Sequence, residues 1–245
     1  MRRLLPWILL LSSPFAACSA EQAPAPAAPL QDLPSLAADV PPPVQVAANT
    51  PAASAPVATA SSSDKYITLA KPQPTQTPGK IEVVEIFLYT CPHCYAFEPQ
   101  VNAWRARLPA DAVFVRVPAS FGGTGPLLAR SYYTAEALGV LDKMHTAIFT
   151  AIHKQHRPLN TEEDMMKLFA ENGVDPQAFR ATLRSFGVDS KARRAAQLEV
   201  GYNITGVPAM AVNGKYAISM RSGIGPDEML KIAEELIAKE RAAAR

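Results

Sequence analysis

The sequence predicts an α/β domain over about residues 64–245, and three features of the chain support that class. An apolar, β-branched strand leads into a helix and then a second strand. A long block of helices follows, and a β-hairpin with one more helix closes the chain. Strands that alternate with helices and then pair in a hairpin build a mixed sheet covered by helices, so we expect one domain with an inserted helical part.

The first half of the domain is dominated by one strong strand. A short strand at Tyr66–Leu69 precedes it, and the strong strand itself runs from Ile81 to Tyr89 with mostly apolar residues. Helical spacing of apolar residues then predicts a helix from Cys91 to about Leu108. A further strand is predicted at Val113–Val117, which completes a β-α-β unit.

A helical insertion is predicted over about residues 122–202. Gly122 and Gly123 break the chain, Thr161 and Asp164 form the sequence of a capping box, and Gly173 and Gly187 are interpreted as helix stops. Apolar residues recur at helical spacing through the block and are expected in the core: Leu128, Tyr132, Ala135, Leu141, Met144, Ile148, Ile152, Met165, Leu168, Phe169, Phe179, Leu183 and Phe186.

The chain returns to strands after the insertion. Ala209–Val212 and Lys215–Ser219 flank an Asn-Gly pair, which is the strongest short hairpin signal. Gly225 and Pro226 then open a closing helix with one apolar face. The order β-α-β, helices, β-β-α is that of a thioredoxin fold with an inserted helical domain.

Residues 1–20 are predicted to be an export signal, because a basic start is followed by a short apolar core and small residues. The apolar stretch is too short for a membrane-spanning helix. Cys18 follows two alanines as in a lipoprotein signal, which makes it a candidate lipidation site, although Phe15 departs from the usual leucine. Ordinary cleavage, for example after Ala20, is the alternative.

An Ala/Pro-rich tether is predicted over residues 21–63. Nine prolines lie between residues 19 and 60, among Ala, Ser, Thr and Val, with three charged residues. Such a composition cannot bury a core, so we expect a disordered, partly polyproline II segment. A tether of this kind suits a domain held on a membrane by a lipid.

The charge balance excludes an electrostatic nucleic-acid binder. The chain carries 24 Lys and Arg against 22 Asp and Glu, a net charge of +2, and contains no basic run. Proteins that bind nucleic acid through its phosphates concentrate positive charge on one face. We therefore expect no nucleic-acid partner.

Two of the three cysteines, Cys91 and Cys94, stand at the predicted strand-to-helix junction. Unpaired amides and the positive end of the helix dipole favour a Cys91 thiolate, and Pro92 fits the first helical turn. Cys94 follows three residues later on the same helix face, close enough for a disulfide. A bridge closing so small a loop would stabilise the fold by only roughly 2 kcal/mol, so redox chemistry is predicted rather than a structural staple.

A zinc or copper module is the competing interpretation of this motif. Cys91, His93 and Cys94 could supply ligands, but a structural zinc site needs about four and the chain has no second cysteine pair. His145, His153 and His156 are interpreted as ordinary helix-surface residues. No metal ion and no cofactor is predicted.

Three stretches resemble the DsbA family of periplasmic thiol oxidases. They are the run E-I-F-L-Y-T-C-P-H-C-Y-A-F-E at 85–98, G-V-P-A-M at 206–210 and V-N-G-K-Y at 212–216. The resemblance implies that Pro208 carries a cis peptide bond, which places the Val207 backbone beside the disulfide for substrate pairing. It also implies that Glu85 and Glu98 lie near the buried cysteine and influence its proton transfers.

The resemblance extends to roles and partners. Cys91 is expected to be the nucleophilic, substrate-bonded sulfur and Cys94 the resolving one, while His93 stabilises the Cys91 thiolate. The expected function is donation of disulfides to unfolded exported proteins in the periplasm, with reoxidation by a DsbB-like, quinone-linked membrane oxidase. A reductase or isomerase of the same fold is the alternative, and the Pro-His dipeptide and Val207 favour the oxidase.

Overall fold

The computed structural model describes residues 61–62, 65–221 and 223–244. The predicted export signal, the candidate acceptor Cys18 and nearly all of the predicted tether lie outside the described residues. Ser61–Ser62, however, form strand β1 and pair with Ile67–Thr68, strand β2. The tether boundary predicted at residue 63 therefore lies too far along the chain.

The described part of the chain contains six strands and seven helices. Beyond β1 and β2, the strands are β3 (Ile81–Phe87), β4 (Ala112–Pro118), β5 (Ala209–Val212) and β6 (Tyr216–Ser219). The helices are α1 (Pro92–Arg105), α2 (Gly125–Ala137), α3 (Leu141–His153), α4 (Glu162–Glu171), α5 (Pro176–Leu183), α6 (Phe186–Gly201) and α7 (Pro226–Ala243).

The six strands form one sheet in the order β1-β2-β6-β5-β3-β4. Strand β3 runs parallel to β4 and antiparallel to β5, and the hairpin of β5 and β6 turns through Asn213 and Gly214, both at positive φ. The parallel pair needs a crossover helix, which is α1. This β-α-β and β-β-α arrangement is the thioredoxin fold that the sequence predicts.

Helices cover both faces of the sheet, and β3 buries side chains on both of them. Val83 packs in one cluster with Trp104 of α1 and Ile232 of α7. Val84, its neighbour, packs in a second cluster with Met144 of α3 and Phe169 of α4. Alternate residues of a strand point to opposite faces, so a strand buried on both sides reads as a continuous apolar run.

Five helices, α2–α6, lie between β4 and β5. The predicted capping box at Thr161 and Asp164 is present at the start of α4, and Gly173 follows that helix with φ +86°. Two predictions in this block are wrong: Gly187 lies in the first turn of α6 instead of ending a helix, and Phe186 is 80% exposed instead of buried. Across the described residues, no helix is long and apolar enough to cross a membrane.

Candidate active site

The cysteine motif lies where β3 gives way to α1. Cys91 is the N-cap of α1, with extended backbone angles and no side-chain cap bond, and Pro92 occupies the first helical turn. The Cys91 carbonyl accepts a hydrogen bond from the amide of Tyr95. The Cys91 sulfur is half-buried and therefore reachable from solvent, and it stands at the positive end of the helix dipole.

Cys94 occupies the opposite environment. It is fully buried, and its sulfur accepts a hydrogen bond from the amide of Leu88 at 3.5 Å. Burial raises the pKa of the Cys94 thiol far above its usual range, and the Leu88 amide offsets only part of that effect. The two cysteines, both free thiols here, therefore differ in access, and burial makes the Cys94 thiol hard to ionise.

The loop before β5 completes the surface around Cys91. The peptide bond between Val207 and Pro208 is cis, as the family resemblance implied. The Cys91 thiol donates a hydrogen bond to the Val207 carbonyl at 3.5 Å, across 116 positions of sequence. The insertion is thus looped out, and a backbone edge lies beside the half-buried sulfur.

A buried charge cluster lies next to the motif. Glu85 of β3 is fully buried, and Arg116 is its register partner on β4, so the two side chains share one face of the sheet. Arg116 donates from Nε to Glu85 at 3.0 Å and from Nη2 to Glu98 of α1 at 3.0 Å. The structure therefore brings together the two glutamates that the sequence singled out, and it adds Arg116, which the sequence left unassigned.

The carboxyls of the two glutamates differ in pKa. Burial raises the pKa of Glu85 to about 7, against the opposing charge of Arg116. Burial acts on Glu98 in the same direction, but His145, Arg116 and the amide of Asn102 outweigh it, so the pKa of Glu98 lies below its usual range. One carboxyl of the pair is thus protonatable near neutral pH while the other stays ionised.

His145 corrects the sequence interpretation, because it is not a surface residue. It is 5% exposed, its Nδ1 lies 2.9 Å from the Tyr89 hydroxyl, and its Nε2 lies 3.1 Å from Glu98 Oε1. Burial lowers the pKa of His145, and the nearby Glu98 partly counteracts that effect. His145 therefore belongs to the charge cluster.

His153, on the same helix, is also more than a surface residue. It is half-buried, its Nε2 lies 2.8 Å from the backbone carbonyl of Tyr89, and its ring stacks on Tyr95 at 4.8 Å. Helix α3 therefore contacts Tyr89, just before the motif, through both the backbone carbonyl and the side-chain hydroxyl of that residue. A signal was available: His145 and His153 lie next to the apolar positions Met144 and Ile152, on the buried side of the helix.

The site as a whole fits dithiol-disulfide exchange. His93 is exposed beside Cys91, and no group of three His, Cys, Asp or Glu residues arranged for a metal ion occurs among the described residues. A reachable sulfur at a helix start, a buried partner sulfur and a protonatable carboxyl are the parts that such exchange requires. Fold and site define a thioredoxin-fold dithiol oxidoreductase.

Comparison with known proteins places the chain within that class. The family model described as "DSBA-like thioredoxin domain" matches residues 82–236. The chain is 49% identical over 181 residues to the thiol:disulfide interchange protein DsbA of Pseudomonas aeruginosa, covering 74% of this chain and 86% of that one. The chain therefore belongs to the DsbA family.

Other relatives agree. The DsbA of Azotobacter vinelandii is 48% identical, with 73% of this chain and 84% of that one covered. The crystal structure of Pseudomonas aeruginosa DsbA superposes with a TM-score of 0.70 at 49% identity, covering 74% of this chain and 94% of that one. The oxidoreductase NmDsbA1 of Neisseria meningitidis gives a TM-score of 0.64 at 26% identity, with coverages of 74% and 93%. The protein is a thiol-disulfide oxidoreductase that introduces disulfide bonds.

Proposed function

We propose that Cys91 is the sulfur that bonds to substrate and that Cys94 is the resolving sulfur. The observation that carries this assignment is the contrast between them: Cys91 is half-buried at the N-cap of α1, whereas Cys94 is fully buried. An attacking thiolate must reach one sulfur of the disulfide, and only Cys91 is reachable. His93, exposed beside it, stabilises the Cys91 thiolate when charged.

Disulfide transfer to the substrate takes two thiolate attacks. A substrate thiolate attacks Cys91 Sγ of the enzyme disulfide, the Cys91–Cys94 bond breaks, and Cys94 leaves with the electron pair and takes up a proton. A second substrate thiolate then attacks the substrate sulfur of the mixed disulfide and releases Cys91 as a thiolate. The substrate is oxidised by two electrons and the enzyme is left as a dithiol.

The Val207 backbone is the proposed docking edge for substrate. Its carbonyl accepts a hydrogen bond from the Cys91 thiol. An extended substrate segment that pairs with this backbone brings its own sulfur to Cys91, which is a form of strand addition. Pro208 sets the direction of that edge.

The proposed substrates are unfolded exported proteins with free thiols, and the proposed compartment is the periplasm. Support comes from the signal-like residues 1–20 and from the use of a cysteine pair in a chain with only three cysteines. We expect reoxidation by a DsbB-like, quinone-linked membrane oxidase. Acylation of Cys18 would hold the domain at a membrane through the tether.

The test uses the purified full-length chain. Oxidised protein is mixed with a reduced, unfolded protein that has two cysteines, and disulfide transfer is followed by alkylation and mass shift. We expect about one disulfide transferred per wild-type molecule and none for Cys91→Ser or Cys94→Ser. Reduced Cys94→Ser should form a persistent mixed disulfide with a disulfide-bonded substrate, whereas Cys91→Ser should form none.

A second measurement separates oxidase from reductase. The Cys91–Cys94 reduction potential is determined in glutathione buffers, and the melting temperatures of the two redox forms are compared. An oxidase should have a potential well above that of thioredoxin, with the reduced form melting higher. A reducing potential with the oxidised form more stable would support the reductase alternative instead.

A further inference from the structure

The loop between α6 and β5, which carries the proposed docking edge, is held mainly at its two ends. At the far end, Ala209 pairs with Ile86 of β3. At the near end, the amide of Ile204 is bonded to α6. In between, the only hydrogen bond to a backbone group within the described residues is the one from the Cys91 thiol to the Val207 carbonyl. The position of that carbonyl therefore depends on how the near end is fixed.

The near end is a helix C-cap built around Glu199. Asn203 takes a left-handed conformation, with φ +54°, and turns the chain away from α6. The amide of Ile204 donates to the Glu199 carbonyl at 2.9 Å, and the amide of Asn203 donates to the Val200 carbonyl at 2.9 Å. These are the two hydrogen bonds of a Schellman motif. The first residue of the loop is thereby bonded to the backbone of Glu199.

The side chain of Glu199 bonds in the opposite direction, to the chain just past β4. It is 7% exposed, and its Oε1 accepts hydrogen bonds from the amide of Ser120 at 2.8 Å and from the Ser120 hydroxyl at 3.1 Å. The preceding amide, that of Ala119, donates to the Phe87 carbonyl of β3 at 2.7 Å. Ser120 also packs closely on the start of α2, where a Cβ added at Gly125 would lie 2.8 Å from the Ser120 carbonyl. Ser120 is therefore a firm anchor.

No other α6 side chain within the described residues is hydrogen-bonded to the sheet or to a segment that continues one of its strands. Asp189 and Lys191, near the start of α6, pair instead with Arg130 and Glu136 of α2. Burial raises the pKa of Glu199 and its two donors only partly offset that effect, with no cation among the causes. The contact therefore depends on an acceptor oxygen and not on an ion pair.

We propose that Glu199 is a positioning residue for substrate docking, which fixes the Val207 edge beside Cys91 through its backbone carbonyl and its carboxyl together. This inference rests on the proposed docking role of Val207. Ile204 and Val207 are both half-buried and pack on the same apolar cluster as Cys91, so a shift of the α6 end moves the docking edge relative to the sulfur. An edge that is already fixed binds an extended segment without first losing conformational freedom.

The experiment measures how fast Cys91 attacks two activated disulfides, in the full-length chain with Cys18→Ser and Cys94→Ser. One is a peptide whose single cysteine, with three residues on each side, is joined to thionitrobenzoate, and the other is N-acetylcysteine amide joined to the same group. The Cys91 thiolate attacks the cysteine sulfur, the disulfide breaks, and thionitrobenzoate leaves as a coloured anion. Because nucleophile and leaving group are the same, the ratio of the two rate constants cancels any change in the reactivity of Cys91 and reports what docking contributes.

With Glu199 intact, the peptide should react faster than the amide. Glu199→Met, which fills similar space without an acceptor, should lower the ratio about fivefold, the size expected for one lost hydrogen-bonded contact. The loss should appear as a higher half-saturating peptide concentration, with the maximal rate kept. Glu199→Gln keeps an oxygen for Ser120 and should restore the ratio. Glu136→Met, which removes the exposed pair of α6 with Lys191, is the control and should keep the ratio.

Three results would overturn the inference: an unchanged ratio in Glu199→Met, equal losses in the Met and Gln variants, or a loss confined to the maximal rate. If Glu199→Met does not fold, Glu199→Ala takes its place in the same comparisons. A ratio near one with Glu199 intact would refute the docking edge at Val207 and this inference with it. Failure of Cys91 to attack either disulfide would refute the proposed cysteine roles.

Discussion

Two buried glutamates, Glu85 beside the cysteine pair and Glu240 near the end of α7, show opposite ways of placing a carboxyl inside this protein. Glu240 is 5% exposed and accepts hydrogen bonds from Asn213 Nδ2, Lys215 Nζ at 2.6 Å and Tyr216 Oη at 3.0 Å. Glu85 is 0% exposed and has one donor, Arg116, with Oε1 unbonded.

The number of donors, more than the depth of burial, separates the two. Burial opposes ionisation of Glu240, but the hydrogen bonds from Lys215, Asn213 and Tyr216 outweigh it and hold its pKa below the usual range. For Glu85 the effect of burial exceeds that of its single donor Arg116, and its pKa rises to about 7. Glu240 therefore fastens α7 to the hairpin, whereas Glu85 remains able to take and give a proton beside Cys94.

The largest expected effect comes from removing the cation of the Glu85 region. Arg116→Met leaves two buried carboxylates without their shared partner and should destabilise the reduced protein by about 3–5 kcal/mol at pH 8. The loss should shrink at pH 5, because the unpaired carboxyls can then be protonated in the folded state. Urea unfolding at the two pH values measures both effects.

Arg241→Met is the control for that variant. Arg241 pairs with Asp111 at 2.6 Å, but both side chains are more than a third exposed, so we expect a loss below about 1 kcal/mol. Equal losses for Arg116→Met at pH 5 and pH 8 would show that lost packing, and not the buried charges, sets its effect.

Where α7 meets the hairpin, Glu240→Gln should destabilise the protein by about 2 kcal/mol at pH 7, the usual size for hydrogen bonds to a charged group. A carboxyl with a lowered folded-state pKa contributes stability above its unfolded pKa and loses it as the pH falls. The effect should therefore be smaller at pH 4, and disulfide transfer should be unchanged. Glu235→Gln, exposed on the same helix, should have almost no effect. A slower disulfide transfer in Glu240→Gln would contradict the separation of the two regions.

The sequence predicts the frame of this protein well. The apolar strand β3, the Asn-Gly hairpin and the Pro-led helices are set by local propensity and periodicity, and they appear within a few residues of their predicted bounds. The burial predicted for Phe186 is wrong, because helical spacing identifies an apolar face but does not say whether another element covers that face.

The buried cluster is harder to predict, because its members meet only in the fold. Arg116 faces Glu85 through the β3–β4 register, and His145 reaches Glu98 through helix packing across 47 positions of sequence. A lone histidine in a helix is usually at the surface, and only its place beside the apolar positions of α3 indicated burial. Strand register and helix packing together fix such clusters, and no local pattern encodes which residues will meet.

The third expected effect, no larger than that of Glu240→Gln, has the opposite sign to the other two: Glu85→Gln should stabilise the reduced protein at pH 8. A glutamate whose pKa is raised from 4.5 to about 7 binds more protons folded than unfolded, so its contribution to stability falls as the pH rises between those values. Each pKa unit corresponds to about 1.4 kcal/mol, but glutamine pairs less well with Arg116. We expect a gain of about 2 kcal/mol at pH 8 and almost none at pH 5.

Glu82→Gln provides the matched control three residues earlier on β3. Glu82 is also buried, but it accepts hydrogen bonds from the amide of Gln76 at 2.7 Å and the hydroxyl of Thr77 at 2.9 Å. Its replacement should destabilise the protein at pH 8, where that of Glu85 should stabilise it. If Glu85→Gln also destabilises the protein at pH 8, then Arg116 gives Glu85 more stability than burial removes. The contrast with Glu240 would then be one of degree and not of sign.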